Sequence, residues 1–266
     1  MHRGMIGRMM LVALILALGG CATRPPASDV QARAHYRQLN DPFEPMNRAT
    51  LGFNNALDVV LIKPTAKGYR AIFPKPVRVS IYHFLKNLRL PLVFINQILQ
   101  GKISPAGTTL GRLVINTTIG LAGFFDPATG MGIKEYNEDF GQTLAVWGTN
   151  EGAFVMLPVL GPSSVRDGVG FVADFLLDPF GWFLKDIHQS SLSFAQRGME
   201  GIDFRERHME EIDDLKKSSV DLYAAMRSAY RQHRRGKIYD GAPPPEKKST
   251  DFQDFGDFED FDDGGN

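Results

Sequence analysis

One cysteine, Cys21, stands in the 266 residues. A single thiol excludes an intramolecular disulfide and any Cys-based metal site. The six histidines, at 2, 35, 83, 188, 208 and 233, include no pair at helical metal-ligand spacing, and the HMEE at His208 lacks the second histidine of a zinc-protease helix. No G-x-S-x-G elbow is present to expose a nucleophilic serine. The run GVGFVA, from Gly168 to Ala173, matches a dinucleotide fingerprint in letters but follows a helix start at Ser163 and not a strand, so its glycines read as permitting close helix packing. The pairs Arg166-Asp167 and Glu138-Asp139 have no nucleophile beside them. The sequence therefore points away from an enzyme and calls for no cofactor or metal. Long apolar runs are missing too. The uncharged stretch Leu113 to Phe125 would make a helix roughly 20 Å long, against about 30 Å of bilayer hydrocarbon, so it does not span.

What is present begins with Arg3 and Arg8 followed by MMLVALILALGG, the charged and apolar regions of an export signal over 1–20. Cys21 follows at once, and LGGCA resembles a bacterial lipobox, which implies acylation of Cys21. Three acyl chains exceed the two signals that stable anchoring takes. Ala22, in place of an aspartate, implies outer-membrane sorting by the same resemblance. Residues 21–40 are polar and read as a lipidated tether. Residues 238–266 read as a disordered tail with seven acids after Ser249 and phenylalanines at 252, 255, 258 and 261. That tail is either a solubilising segment or a docking motif for a basic partner.

Between these ends the charge is uneven. Met46 to Arg112 carries ten basic residues against Asp58 alone, a face attracted to phosphate-bearing partners. For an exported lipoprotein that means phospholipid rather than nucleic acid, with Arg48, Arg70 and Arg78 as candidate headgroup contacts. From Leu90 to Lys185 only 13 of 96 positions are charged. The uncharged runs there, with Phe124, Phe125, Trp147 and Trp182 among or near them, make more apolar surface than a core of this size hides, and such patches mark membrane or partner contact.

Periodicity predicts helices throughout. Met46, Thr50, Phe53, Leu57 and Val60 form one apolar stripe, with Asn47, Asn54 and Asp58 off it and Pro64 ending the helix. Val77, Ile81, Phe84 and Leu88 form another. Ser104-Pro105 reads as an N-cap and first turn, and Ser163 or Ser164 caps a helix carrying Val165, Val169, Val172 and Leu176. From Glu200 to Arg235, 16 of 36 residues are charged, which describes helices lying in water over the body.

DPFEPMNR from Asp41, RLVINTTIGLAGFFDPA from Arg112, EDFGQTL from Glu138 and LPVLGPSSVRDGVG from Leu157 resemble, in order, the signature blocks of the VacJ/MlaA family of outer-membrane lipoproteins. The resemblance covers 41–237. It implies an all-α, single ring-shaped domain of short amphipathic helices embedded in the periplasmic leaflet of the outer membrane, around an amphipathic channel. It implies removal of mislocalised phospholipids from the outer leaflet, and as partners a trimeric porin and a periplasmic phospholipid carrier. The rival readings are a membrane-anchored lipase or acyl hydrolase and a structural porin-associated lipoprotein. Under the resemblance Asn54, Asn116, Thr117 and Thr118 become candidate channel contacts, although the threonine hydroxyls can equally bond back to their helix. Gly120, Gly123, Phe124, Phe125 and Trp147 become candidate pore-shaping or membrane-facing residues. Adjacent phenylalanines on a helix point about 100° apart, so one is expected inward and one toward lipid, with Asp126 where water begins. Gly152-Ala153-Phe154 departs from the family's G-P-Y-like turn.

Overall fold

The structure, a computed structural model, describes residues 41–244. The signal segment, Cys21, the tether and the phenylalanine-bearing tail from 245 onward lie outside the described residues. Helix α1 spans Glu44–Leu57 and does not stop at Pro64. It passes through a π-helical turn, Asp58–Ile62, into α2, Lys63–Ile72. The wider turn leaves Pro64 at the second position of α2, where its missing N–H breaks no ladder. The stop comes at Phe73, held extended before Pro74. Helix α3, Lys75–Leu99, likewise runs on through Pro91, and α4 spans Ile103–Thr118. Its N-cap position is Lys102 and no side chain caps it, so Ser104 sits inside the first turn rather than ahead of it.

Short elements follow. Helix α5, Pro127–Gly130, is capped by Asp126, and α6, Phe140–Val146, by Asp139. The antiparallel hairpin of β1, Phe154–Leu157, and β2, Gly161–Ser164, is the only sheet among the described residues. Phe154 pairs with Ser164 at its base. Ser164 accepts from the Asp167 N–H and starts α7, Val165–Leu177, as its position predicts. Then come α8, Pro179–Asp186, α9, Ser190–Arg207, α10, Met209–Ser218, and α11, Leu222–Ile238. Backbone hydrogen bonds continue to Ala242, and Asp240 pairs with Lys102 at 2.8 Å, so the folded part extends past 237.

Packing runs round a closed circuit: α2 meets α9, α9 meets α3, α3 meets α6, α6 meets α11, α11 meets β2, and β1 returns the chain to α1. The close approach of α6 to α7 needs Gly170, because a Cβ there would lie 2.4 Å from the Gly141 nitrogen. The packing reading of that glycine-rich run therefore holds at Gly170. At Gly168 nothing lies near.

The helical stripes are turned inside out. On α1 the buried residues are Asn47 and Leu51, with Asp58 beyond them, while Phe53 and Val60 are exposed. On α4 they are Ala106, Thr109, Arg112 and Asn116, while Ile103, Leu110 and Val114 face out. On α7 they are Arg166 and Gly170, whereas Val165, Val169, Val172 and Leu176 are all exposed. Among the described residues more polar and charged side chains are buried than hydrophobic ones. A water-soluble fold would forfeit about 1.5–3 kcal/mol for each large apolar side chain left out of its core, so this distribution fits a molecule whose outer solvent is lipid. No helix among the described residues is long and apolar enough to cross a membrane. A small apolar cluster of Leu51, Phe154, Met156 and Tyr223 locks the hairpin to α1 and α11. Phe154, fully buried edge-on to Tyr223 and Tyr230, occupies the departure from the family turn, behind Gly152 at φ +73°.

Candidate functional site

A cavity of about 420 Å³ opens between α3, the 135–137 segment, α9 and the end of α11. A second, of about 370 Å³, adjoins it and shares Glu135, Tyr136, Asn137 and Lys237. Helical spacing builds the walls. Tyr82, Lys86, Arg89 and Val93 recur on one side of α3; Glu200, Asp203, Phe204 and Arg207 do so on α9. The Arg207 guanidinium lies 3.8 Å from the Tyr82 ring centroid and bonds Asp203 at 2.8 Å. Tyr69 reaches the same carboxylate from α2 at 3.5 Å. Lys86 pairs with Glu135, Lys134 lies over the Tyr136 ring at 4.9 Å, and Phe204 contacts the His208 ring at 4.4 Å. Leu85, Leu90 and Val93 supply apolar wall between these charges. The space is thus amphipathic, with aromatic and aliphatic surface interleaved with fixed charge.

At its far mouth Glu138 is fully buried against Lys102, 3.0 Å away, and Gln100. Burial pushes the Glu138 carboxyl above its usual range despite these donors. Beside it Asp139 receives both Arg234 Nη atoms at 2.6 Å. A separate groove on α11, of about 900 Å³ and rich in arginine, carries little free charge, since Arg166, Arg227, Arg231 and Arg234 are tied to Asp167, Asp41, Glu151 and Asp139.

The sequence candidates fall mostly elsewhere. Arg48 bonds Glu44 at 2.8 Å and grips Asp221 with two nitrogens. Arg70 meets Glu206 at 2.7 Å and Glu210 at 2.6 Å, and Arg78 pairs with Glu206. These three arginines of the basic stretch are therefore already paired with acids of α9, α10 and the start of α11, and are not the free charges that the count along the segment suggests. Charge counted along a segment does not see what folds back onto it. Asn54 is likewise a clamp rather than a channel contact: its amide donates to Leu157 O at 3.0 Å and accepts from Val159 N at 2.8 Å, holding the hairpin. Thr118 bonds back to Val114 O at 2.7 Å. Thr117 accepts from Asn87 at 3.1 Å. Asn116 donates to Asp126 and accepts from Ala128 N, a buried structural role.

The GLAGFFD stretch is not helical, and that changes its geometry. Helix α4 ends at Thr118, and Leu121, Ala122 and Gly123 all take positive φ (52°, 59° and 95°). A Cβ on Gly120 would lie 2.4 Å from Asn116 O and one on Gly123 2.4 Å from Asn87 Cβ, so neither tolerates a side chain. The expected inward and outward split of the phenylalanines fails with the helix. Both are exposed, Phe124 stacked on Phe84 at 4.8 Å and Phe125 open, together with Ile119 and Leu121. Asp126 is not at water but buried under Arg112 at 2.7 Å, with its carboxyl held low against burial by Thr129, Asn116 and that guanidinium. Trp147 is exposed with its indole N–H on Leu99 O.

Comparison with known proteins places these features. A family model described as MlaA lipoprotein matches residues 39–237. The intermembrane phospholipid transport system lipoprotein MlaA of Haemophilus influenzae (strain ATCC 51907 / DSM 11121 / KW20 / Rd) is 31% identical over 242 residues, 88% of this chain and 92% of that protein. Its namesake in Escherichia coli (strain K12) is 33% identical over 233 residues, 84% and 87% of the two chains. A solved structure reported as the structural basis for maintenance of bacterial outer membrane lipid asymmetry superposes with a TM-score of 0.66 at 30% identity, covering 76% of this chain and 99% of that one.

Proposed function

The chain belongs to the MlaA lipoprotein family, and from that premise we propose that it maintains outer-membrane lipid asymmetry by withdrawing phospholipid from the outer leaflet through the cavity between α3, α9 and α11. The observation that carries this reading is the inverted burial. Apolar side chains are exposed on the helices of a closed circuit while charge and aromatic rings line a cavity between three of its helices, the arrangement a polar headgroup needs to pass a body seated in lipid. Such a body rests in the periplasmic leaflet, hands its lipid to a periplasmic carrier, and offers its apolar outer face to a trimeric porin. It acts without catalysis. Deleting the gene is expected to raise outer-leaflet phospholipid. Unchanged outer-leaflet phospholipid would favour the porin-clamping role instead, and fatty acid or lysophospholipid released by the purified protein would favour a lipase.

Two attachments hold this body in place on our reading, the acylated Cys21 and the exposed turn at Phe125. Cys21→Ser removes the first. In that background Phe125→Asp is expected to weaken vesicle binding by about 2 kcal/mol or more, because a carboxylate replaces an aromatic at the apolar boundary. Flotation of the two proteins with phospholipid vesicles measures this, and equal flotation would mean that the turn does not enter lipid.

A further inference from the structure

Among the charged side chains lining the larger cavity, most are already matched. Lys86 is paired with Glu135 and Arg207 with Asp203. Three are not. Arg89 and Lys237 make no hydrogen bond or ion pair with their side chains to any described residue, and Glu200 accepts only a neutral amide, Gln196 Nε2, at 3.0 Å. Arg89 comes from α3, Glu200 from α9 and Lys237 from the end of α11, so they approach one space from three directions. Lys237 also lines the adjoining cavity, at the junction of the two.

Lys237 is the informative member. Burial holds its ammonium below the ordinary lysine value, Arg234 and Arg89 push the same way, and Asp139 and Glu138 pull against them. Those two acids are engaged elsewhere, Asp139 with Arg234 and Glu138 with Lys102. Arg89 has only the unbonded attraction of Asp174, so a half-buried ammonium facing a guanidinium, with neither hydrogen-bonded, costs free energy that an entering anion would return. A guanidinium and an ammonium together suit a phosphate, the first through its fork and the second as a point charge. An unmatched carboxylate in the same space suits a cation.

We infer that Arg89 and Lys237 seat the phosphate, and Glu200 the ammonium, of a zwitterionic aminophospholipid headgroup, so that the cavity favours phosphoethanolamine lipids over purely anionic ones. This rests on the lipid-passage reading. It adds to it a substrate class that depends on three residues of this chain. Tyr82 and Phe204, on the same walls as Arg89 and Glu200, provide rings against which the methylenes of such a headgroup pack.

The test uses the purified full chain in detergent and three soluble probes: short-chain phosphatidylethanolamine, short-chain phosphatidylglycerol and inorganic phosphate. Calorimetry is expected to find phosphatidylethanolamine bound about tenfold more tightly than phosphatidylglycerol, and phosphate alone weakest. Arg89→Gln and Lys237→Gln should each weaken both lipids about tenfold. Glu200→Gln should remove the preference while leaving phosphatidylglycerol binding intact. None of the three residues holds a partner whose loss unfolds the chain, and unchanged thermal melting of the variants checks this. Equal binding of the two lipids by the wild type overturns the headgroup assignment. Unaltered affinity in Arg89→Gln and Lys237→Gln overturns the phosphate seat, and phosphate bound as tightly as lipid makes it a free-anion site. Outer-leaflet phospholipid in cells carrying Glu200→Gln separates the two readings. A shift in the headgroups accumulating there supports the selectivity, whereas normal asymmetry in a full deletion defeats the transport reading whatever the calorimetry finds.

Discussion

Replacing Arg234 with methionine is expected to destabilise the fold by about 3–5 kcal/mol and to abolish lipid transport with it. Its guanidinium sits between two carboxylates: both terminal nitrogens reach Asp139 at 2.6 Å, and Nε and Nη2 reach Asp167 at 2.7 and 3.0 Å. Asp139 caps α6 and Asp167 lies in the first turn of α7, so one side chain of α11 pins two helix starts. The contact is close enough that a Cβ on Gly141 would lie 2.4 Å from Nη2. Methionine keeps the length, strips the part-buried Asp139 of its countercharge and leaves Asp167 with Arg166 and the Tyr230 hydroxyl. Burial alone pushes the Asp139 carboxyl up, but the hydrogen bonds and charge of Arg234 hold it at about 2. A depressed folded value contributes stability above the unfolded carboxylate value of 3.8, and the contribution is lost as pH falls through about 2. Wild-type melting should therefore fall across roughly pH 4 to 2. The double variant Arg234→Met, Asp139→Asn should recover part of the loss at pH 7, because the penalty lies mainly in the abandoned Asp139 charge, Asp167 keeping Arg166. A single variant melting like wild type would show that α11 closes the circuit without this clamp. Since α11 carries Lys237 into the cavity, loosening it also dismantles one of the cavity's walls.

Arg112→Met has a comparable expected cost, about 3–5 kcal/mol. Arg112 is 1% exposed and lies in the polar inner face of α4. It bonds Asp126 at 2.7 Å, Thr129 at 2.9 Å and the Ile133 carbonyl, so it ties the end of the apolar turn to the segment that continues to Tyr136. Without it Asp126 keeps Asn116 and Thr129 but loses its countercharge in a buried place. Limited proteolysis should then cut between 126 and 137, where the wild type resists, and lipid transfer should fall because that segment lines both cavities. Arg112→Met with Asp126→Asn should protect the segment again. Resistance equal to wild type in the single variant would refute the tether.

Some of this was legible beforehand because it depends on local chemistry. Ser164 starts a helix since a hydroxyl two or three residues before free N–H groups caps them wherever the chain lies. The apolar excess from Leu90 to Lys185 could not fit into a core, and it is found outside. Other expectations failed for reasons that are equally physical. Pro64 was expected to stop a helix, and a π turn absorbed it. The phenylalanines of GLAGFFD were placed by helical geometry, yet three consecutive positive φ angles turn the chain there. Arg70 and Arg78 seemed free because their acids lie more than a hundred residues downstream, and Arg48 divides itself between nearby Glu44 and the equally distant Asp221.

The sequence by itself determined the class of molecule, a helical chain of the MlaA lipoprotein family, since helical period and apolar excess are properties of short segments and of ordered blocks. The tertiary structure alone decided which face of each helix points inward, and which charges remain unmatched. Period tells that a helix has two faces but not which solvent each will meet. Whether a charge is free depends on distances across the fold, so in the sequence Arg89, Glu200 and Lys237 look like any other charges, and only α3, α9 and α11 bring them to one cavity.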